Sequence, residues 1–214
     1  MTIKKMEDYI NSNNNDFKKF KISYTDKELK CIKAFNISKP DEYYYMGNKN
    51  NMKNLNQFLN NVGTNDKECI KILEKAIMKI LDNVLVAFDK DYYWINIRVT
   101  LPNNVYNIPR WHRDGQYFDS EIKSPKFITT LKGPGTLLIK STKKVSDIYQ
   151  KMNNDLLKLL PISESDKKFN KYRLFLAKAF KNTKIIQSKN NEGVIIYPQI
   201  FADINEGANI VNQK

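Results

Sequence analysis

A chain of 214 residues, 41% hydrophobic and 12% aromatic, carries enough apolar surface to order one domain, which excludes a disordered tail and does not call for two cores. Its formal net charge of +13 invites a nucleic-acid partner, since lysines that neutralise phosphates release counterions. Against that, arginine, which makes bidentate phosphate and base contacts, occurs only at Arg98, Arg110, Arg113 and Arg173, and the lysines form no dense block.

Asn- and Lys-rich, Gly- and Ala-poor usage also matches AT-rich coding, in the style of a viral genome. Nucleic acid is therefore an open partner and not the favoured one. No run of about 18 apolar residues is present and the start lacks a secretory core, so the expectation is an intracellular, cytoplasmic protein, with a virion as the other location, and no membrane partner. Cys31 and Cys69 stand alone, without CxxC, and are expected as buried free thiols rather than a zinc module or a disulfide framework.

In chain order, the Asn-rich stretch 11–15 closes a flexible N-terminal segment, 1–16, and a single domain follows over 17–214. Phe20, Ile22, Tyr24, Leu29, Ile32 and Phe35 predict short strands or a hairpin over 17–37. Met52, Leu55, Phe58 and Leu59 have helical spacing. The clearest helix is 66–83, where Cys69, Ile70, Leu73, Ala76, Ile77, Ile80 and Leu81 form one stripe. Asn65 and Glu68 are its candidate cap, and its role is to pack on a sheet.

Beyond it the period changes to two. Tyr93, Ile95, Ile97, Val99 and Leu101 alternate with Trp94, Asn96, Arg98 and Thr100, as a two-faced strand does. Pro102-Asn103-Asn104 turns the chain. A strand enters Trp111, another spans 127–131, Gly133-Pro134-Gly135 turns, and extended character resumes over 136–140. A helical insertion, about 145–181, contains helices over 145–160 and 165–181. Strands return at 184–187, 193–197 and 208–211. This order predicts an α+β protein built on a β-sandwich or barrel.

Chemistry concentrates at the only histidine, His112, in Trp111-His112-Arg113-Asp114-Gly115. On a strand, residues i and i+2 share a face, so His112 and Asp114 would offer one nitrogen and one carboxylate to the same cavity. Those are two members of the 2-His-1-carboxylate set of non-haem Fe(II) oxygenases. Gly115 then lets the strand leave without crowding the site. No Gly-x-Ser-x-Gly elbow accompanies the histidine, and Gly133-Pro-Gly-Thr lacks the ending of a phosphate loop, which sets aside hydrolase and nucleotide-loop readings.

This motif, followed by Phe127-Ile-Thr-Thr-Leu-Lys-Gly-Pro-Gly-Thr136, resembles the Fe(II)/2-oxoglutarate-dependent dioxygenase superfamily over about half of the chain. The resemblance implies a double-stranded β-helix, a jelly-roll-like core with flanking helices. It implies His112 and Asp114 as catalytic metal ligands, Fe(II) and 2-oxoglutarate as cofactors, and hydroxylation or demethylation of a substrate. Arg98 and Thr130 are placed near the co-substrate by strand facing. A family member would add a distal histidine on a late strand and, some ten residues on, an Arg or Lys for the far carboxylate of 2-oxoglutarate. The sequence shows neither.

Truncation, a non-catalytic relative, or substitution by Asp203 or Glu206 on an expected loop at 202–207 compete as explanations. Loss of the ligand is favoured. The expectation is thus an oxygenase-like protein with an incomplete iron site. Its rival is a non-catalytic basic protein that binds nucleic acid or an acidic partner.

Overall fold

Ile3, Met6, Tyr9 and Ile10 recur at helical spacing, and the chain begins with a helix, α1 (Ile3–Asn11), whose Met6 and Tyr9 are buried. Ordered structure therefore starts well before residue 17, and the expected flexible N-terminal segment is corrected over 3–11. The computed structural model describes residues 2–12, 16–48, 52–101, 109, 111–113, 125–156, 165–197 and 201–203. The end of the Asn-rich stretch, 13–15, and the expected strand at 208–211 lie outside them.

Strand β1 (Phe17–Lys21) is followed by a helix, α2 (Asp26–Ala34), where the sequence reading expected strands. The reason is local. The Thr25 hydroxyl accepts from the Glu28 amide at 3.2 Å and the Glu28 carboxylate accepts from the Thr25 amide at 2.7 Å, a reciprocal cap that satisfies two donors of the first turn. Short strand β2 (Asn36–Ile37), strand β3 (Asp41–Asn48), helix α3 (Leu55–Val62) and short strand β4 (Gly63–Thr64) lead to the long helix α4 (Lys67–Phe88). Its cap is Asp66 rather than Asn65, the carboxylate accepting from the Cys69 amide at 2.7 Å. It stops where Asp89 turns left-handed at φ 50°. No helix among the described residues is long and apolar enough to cross a membrane.

The stripe of α4 packs as its spacing predicts. Ile70, Leu73 and Ile77 meet Ile32 and Phe35 of α2 and its end, Phe58 and Val62 of α3, and the inward residues of β3 and of β5 (Tyr92–Val99). Cys31 and Cys69 are joined by a disulfide, with Cα atoms 5.1 Å apart, that ties α2 to the first turn of α4. This corrects the expected free thiols: the crossing of the two helices brings together cysteines 38 residues apart, and no sequence spacing announces it.

The second half is built from short antiparallel strands: β6 (His112–Arg113), β7 (Lys126–Thr129), β8 (Leu137–Ile139), β9 (Ile185–Gln187), β10 (Glu192–Ile196) and β11 (Phe201–Asp203). Two helices, α5 (Lys143–Leu156) and α6 (Ser165–Ala179), are inserted between β8 and β9. Pairing is nested, β6 with β11, β7 with β10 and β8 with β9, while β8 also pairs β11. Alternate pairs fall in different sheets, one ordered β1-β10-β7 and the other β6-β11-β8-β9. The turn that carries β7 into β8 uses Gly133 at φ 96°, and a Cβ at Gly135 would overlap the Ser188 carbonyl oxygen, so neither position admits another residue without strain.

The two sheets face each other. Leu138 of β8 packs on Val194 and Ile196 of β10, with Phe17 and Ile128 completing the contact. On the outer side of the three-stranded sheet, Phe20, Ile195 and Phe127 bury Met6 and Tyr9 of α1 and the end of α4. On the outer side of the four-stranded sheet, Leu137 and Ile139 bury Val145 and Tyr149 of α5 and Leu176 and Phe180 of α6. The chain is α+β, with two antiparallel sheets packed face to face and helices on both outer sides.

Candidate functional site

The candidate ligand His112 lies on β6, whose only described neighbour is β11. Across the four-stranded sheet the register aligns His112, Ala202, Leu138 and Ile186 in one row. A second row contains Arg113, Phe201, Ile139 and Ile185, and Asp203 aligns with Leu137 and Gln187. Directly opposed residues in an antiparallel pair share a face and successive residues alternate. Leu138 belongs to the cluster between the sheets, whereas Leu137 and Ile139 pack on α5 and α6. Position 112 therefore falls in the row that belongs to the inter-sheet side.

Trp111 fixes the strand just before it. It is buried with Leu137 and Ile139 on the helix side and meets Phe180 edge-on, with centroids 6.1 Å apart and planes at 86°. A ring of this size locked into the α5–α6 layer makes a one-residue slip of β6 costly, because a slip would turn it into the other face. Asp114 lies outside the described residues.

The strand opposite does not complete a metal set. The residue paired with His112 is Ala202, whose methyl offers no donor, and Asp203 sits one step on, in the row of the helix side. Residues 201–203 form a strand, correcting the loop expected there, and Glu206 lies outside the described residues. No group of three or more His, Cys, Asp and Glu is gathered among the described residues. Among the described residues, β11 places no donor opposite His112, and no complete facial triad is assembled.

Arg98 lies on the exposed face of β5, in a different sheet from His112. Its Nε donates to Glu42 Oε1 at 3.1 Å, and the Asn96 amide donates to the same oxygen. Hydrogen bonds from Asn96 and then Arg98 hold the Glu42 carboxyl below its ordinary range. Thr130 is half-buried, one residue past β7 and two past Ile128, which packs between the sheets.

One feature of the surface was missed by the sequence reading. Strand β3 pairs β5 along its whole length, from Asp41 opposite Val99 to Asn48 opposite Tyr92, and the outward face of the pair carries Tyr44, Met46, Tyr92 and Trp94. The alternation that revealed β5 also put Tyr92 and Trp94 on its outer face. Only the partner strand was lacking. Comparison of the chain with protein-family models, with curated proteins and with solved structures found no match.

Proposed function

We propose that this chain is a double-stranded β-helix protein of the Fe(II)/2-oxoglutarate oxygenase type whose iron site has lost a protein ligand, leaving a non-catalytic relative. The nested pairing supports the fold: a single antiparallel ribbon, folded so that alternate rungs enter opposite sheets, is the layout that defines a jelly roll. The site reading is carried by one observation, the register of β6 and β11. It aligns His112 with Leu138, the residue packed between the sheets, and pairs it with Ala202 where a third donor would be needed.

Two donors bind a metal weakly, and a missing ligand costs more than the roughly 10–100-fold that substitutions around a metal site produce. The test is a pair of measurements. Incubated with Fe(II), 2-oxoglutarate, ascorbate and air, the chain is expected to release no succinate above the His112→Ala background. Co(II), followed by its visible absorption, is expected to bind the wild type at least about tenfold more tightly than His112→Ala. Succinate formation that depends on His112 would refute the loss of the ligand; equal Co(II) binding by both proteins would refute the kinship.

A further inference from the structure

The β3–β5 pair has one face in the core and one in water. Inward, Tyr43, Tyr45, Ile95, Ile97 and Val99 pack on α3 and α4. Outward, the cross-strand rows are Glu42 with Arg98, Tyr44 with Asn96, Met46 with Trp94, and Asn48 with Tyr92. Tyr44 is 58% exposed, Met46 56%, Tyr92 59% and Trp94 47%. A single exposed ring is ordinary; four large side chains together on one two-stranded face are a surface made for contact.

We propose that this face is a stacking platform for single-stranded nucleic acid. The Tyr44 and Trp94 rings lie 5.6 Å apart with planes at 49°, and their outer faces are wide enough to receive bases, whose stacking on aromatic rings is tolerant of sequence. The Lys126 ammonium stands 6.0 Å from the centre of the Trp94 ring, where it would meet the backbone of a strand lying over that ring. The only acid in these rows, Glu42, is engaged by Asn96 and Arg98. With a net charge of +13, the chain attracts a polyanion at long range.

Asn48 lies beside the rings and supplies an amide for base edges. A duplex hides its base faces. A second copy of the chain, docked through this face about a two-fold axis, would set Lys126 near its own equivalent. The proposal rests on β3, β5 and β7 and is independent of the iron-site reading.

The chain has two tryptophans, and the other, Trp111, is 2% exposed, so emission quenched on binding reports Trp94. Titrated with short oligo-uridine and oligo-thymidine, the full chain is expected to lose Trp94 emission. Followed by the fluorescence anisotropy of a labelled oligonucleotide, since both variants lack the reporting ring, Trp94→Ala should weaken binding by about 5- to 150-fold, the range for losing one stacked base, and Trp94→Phe should restore most of it. The salt dependence should be unchanged in both variants, because phosphate contacts remain. Tyr92→Ala, at the exposed end of the pair, gives a second test should Trp94→Ala fold poorly.

Equal affinity of Trp94→Ala and wild type would overturn the proposal. So would tighter binding of a duplex than of either single strand, or quenching by anionic phosphatidylserine vesicles in place of oligonucleotides. A wild-type dimer that Trp94→Ala dissolves, with no oligonucleotide binding, would assign the face to a second copy and equally overturn it.

Discussion

On the proposed reading, placing a histidine at position 202 is expected to build a metal site with His112, whereas the same residue at 203 is not. Ala202 is the residue paired with His112, and directly opposed Cβ atoms in an antiparallel pair stand about 4.5–5.5 Å apart. Two imidazoles from such positions can share a metal at about 2.0–2.1 Å from each nitrogen. The proposed reading adds the Asp114 carboxylate to the set. Ala202→His should therefore raise Co(II) or Fe(II) affinity by at least about 100-fold, near 2.7 kcal/mol. Asp203→His should give no gain, because position 203 aligns with Leu137, which packs on α5 and α6, and a one-residue step reverses the face. The assay is anaerobic titration followed by visible absorption, repeated in a His112→Ala background. A true bridge is non-additive, so the gain at 202 must vanish without His112. A gain that survives His112→Ala, or a larger gain at 203 than at 202, would refute the register argument.

Three further outcomes probe the scaffold. Leu138→Ala, at a wholly buried position between the sheets, should lower unfolding free energy by about 2–5 kcal/mol in urea titration; a change under 1 kcal/mol would mean that the two sheets do not share this contact. Replacing both Cys31 and Cys69 by alanine removes a link between residues 38 apart. In the chain-entropy account it should cost about 4 kcal/mol in the absence of reductant, with a similar shift when the wild type is reduced. Glu28→Gln should cost about 1 kcal/mol as a damaged helix cap and flatten the acid limb of stability. Burial pushes the Glu28 carboxyl up, but hydrogen bonds from Lys79 and the Thr25 amide outweigh it and hold the group below its ordinary value of 4.5. Its contribution is therefore full above about pH 4.5 and lost as pH falls through the lowered folded value; an unchanged acid limb in the variant would contradict this.

How much of this fold can be read from residues alone depends on the length over which a signal repeats. Helix α4 repeats its stripe from Ile70 to Leu81, and β5 alternates across eight residues, so both periods are legible. Strand β3 is as long, but Tyr43 and Tyr45 point inward while Tyr44 and Met46 point out. Apolar residues on both faces erase the alternation. Helix α2 announces itself only through the capping box of Thr25 and Glu28, while the period of two through Phe20, Ile22 and Tyr24 runs up to it and favours a strand. Strand β11, at three residues, is too short to show any period, and the disulfide depends on a crossing that only the packed helices define.

The same contrast separates the candidate site from its scaffold. His112-x-Asp114 is a local pattern, readable because both residues sit on one stretch of chain. The third ligand is a property of the nested ribbon, which sets β11 beside β6, and a backbone ladder pairs equally well whether position 202 carries an imidazole or a methyl. A methyl in place of a donor there need not disturb the sheet, where Leu137, Leu138 and Ile139 of β8, one of its two inner strands, are wholly buried. On the proposed reading a function elsewhere does not depend on a metal at this position, and the exposed aromatic face lies on a different sheet, with Arg98 at its end engaged with Glu42. The two readings can therefore fail separately. His112→Ala should abolish weak metal binding and leave oligonucleotide affinity within about twofold, while Trp94→Ala should do the reverse, as expected of distant sites without shared partners. Loss of both properties in either single variant would mean that one site serves both, and that the separation argued from the two sheets is wrong.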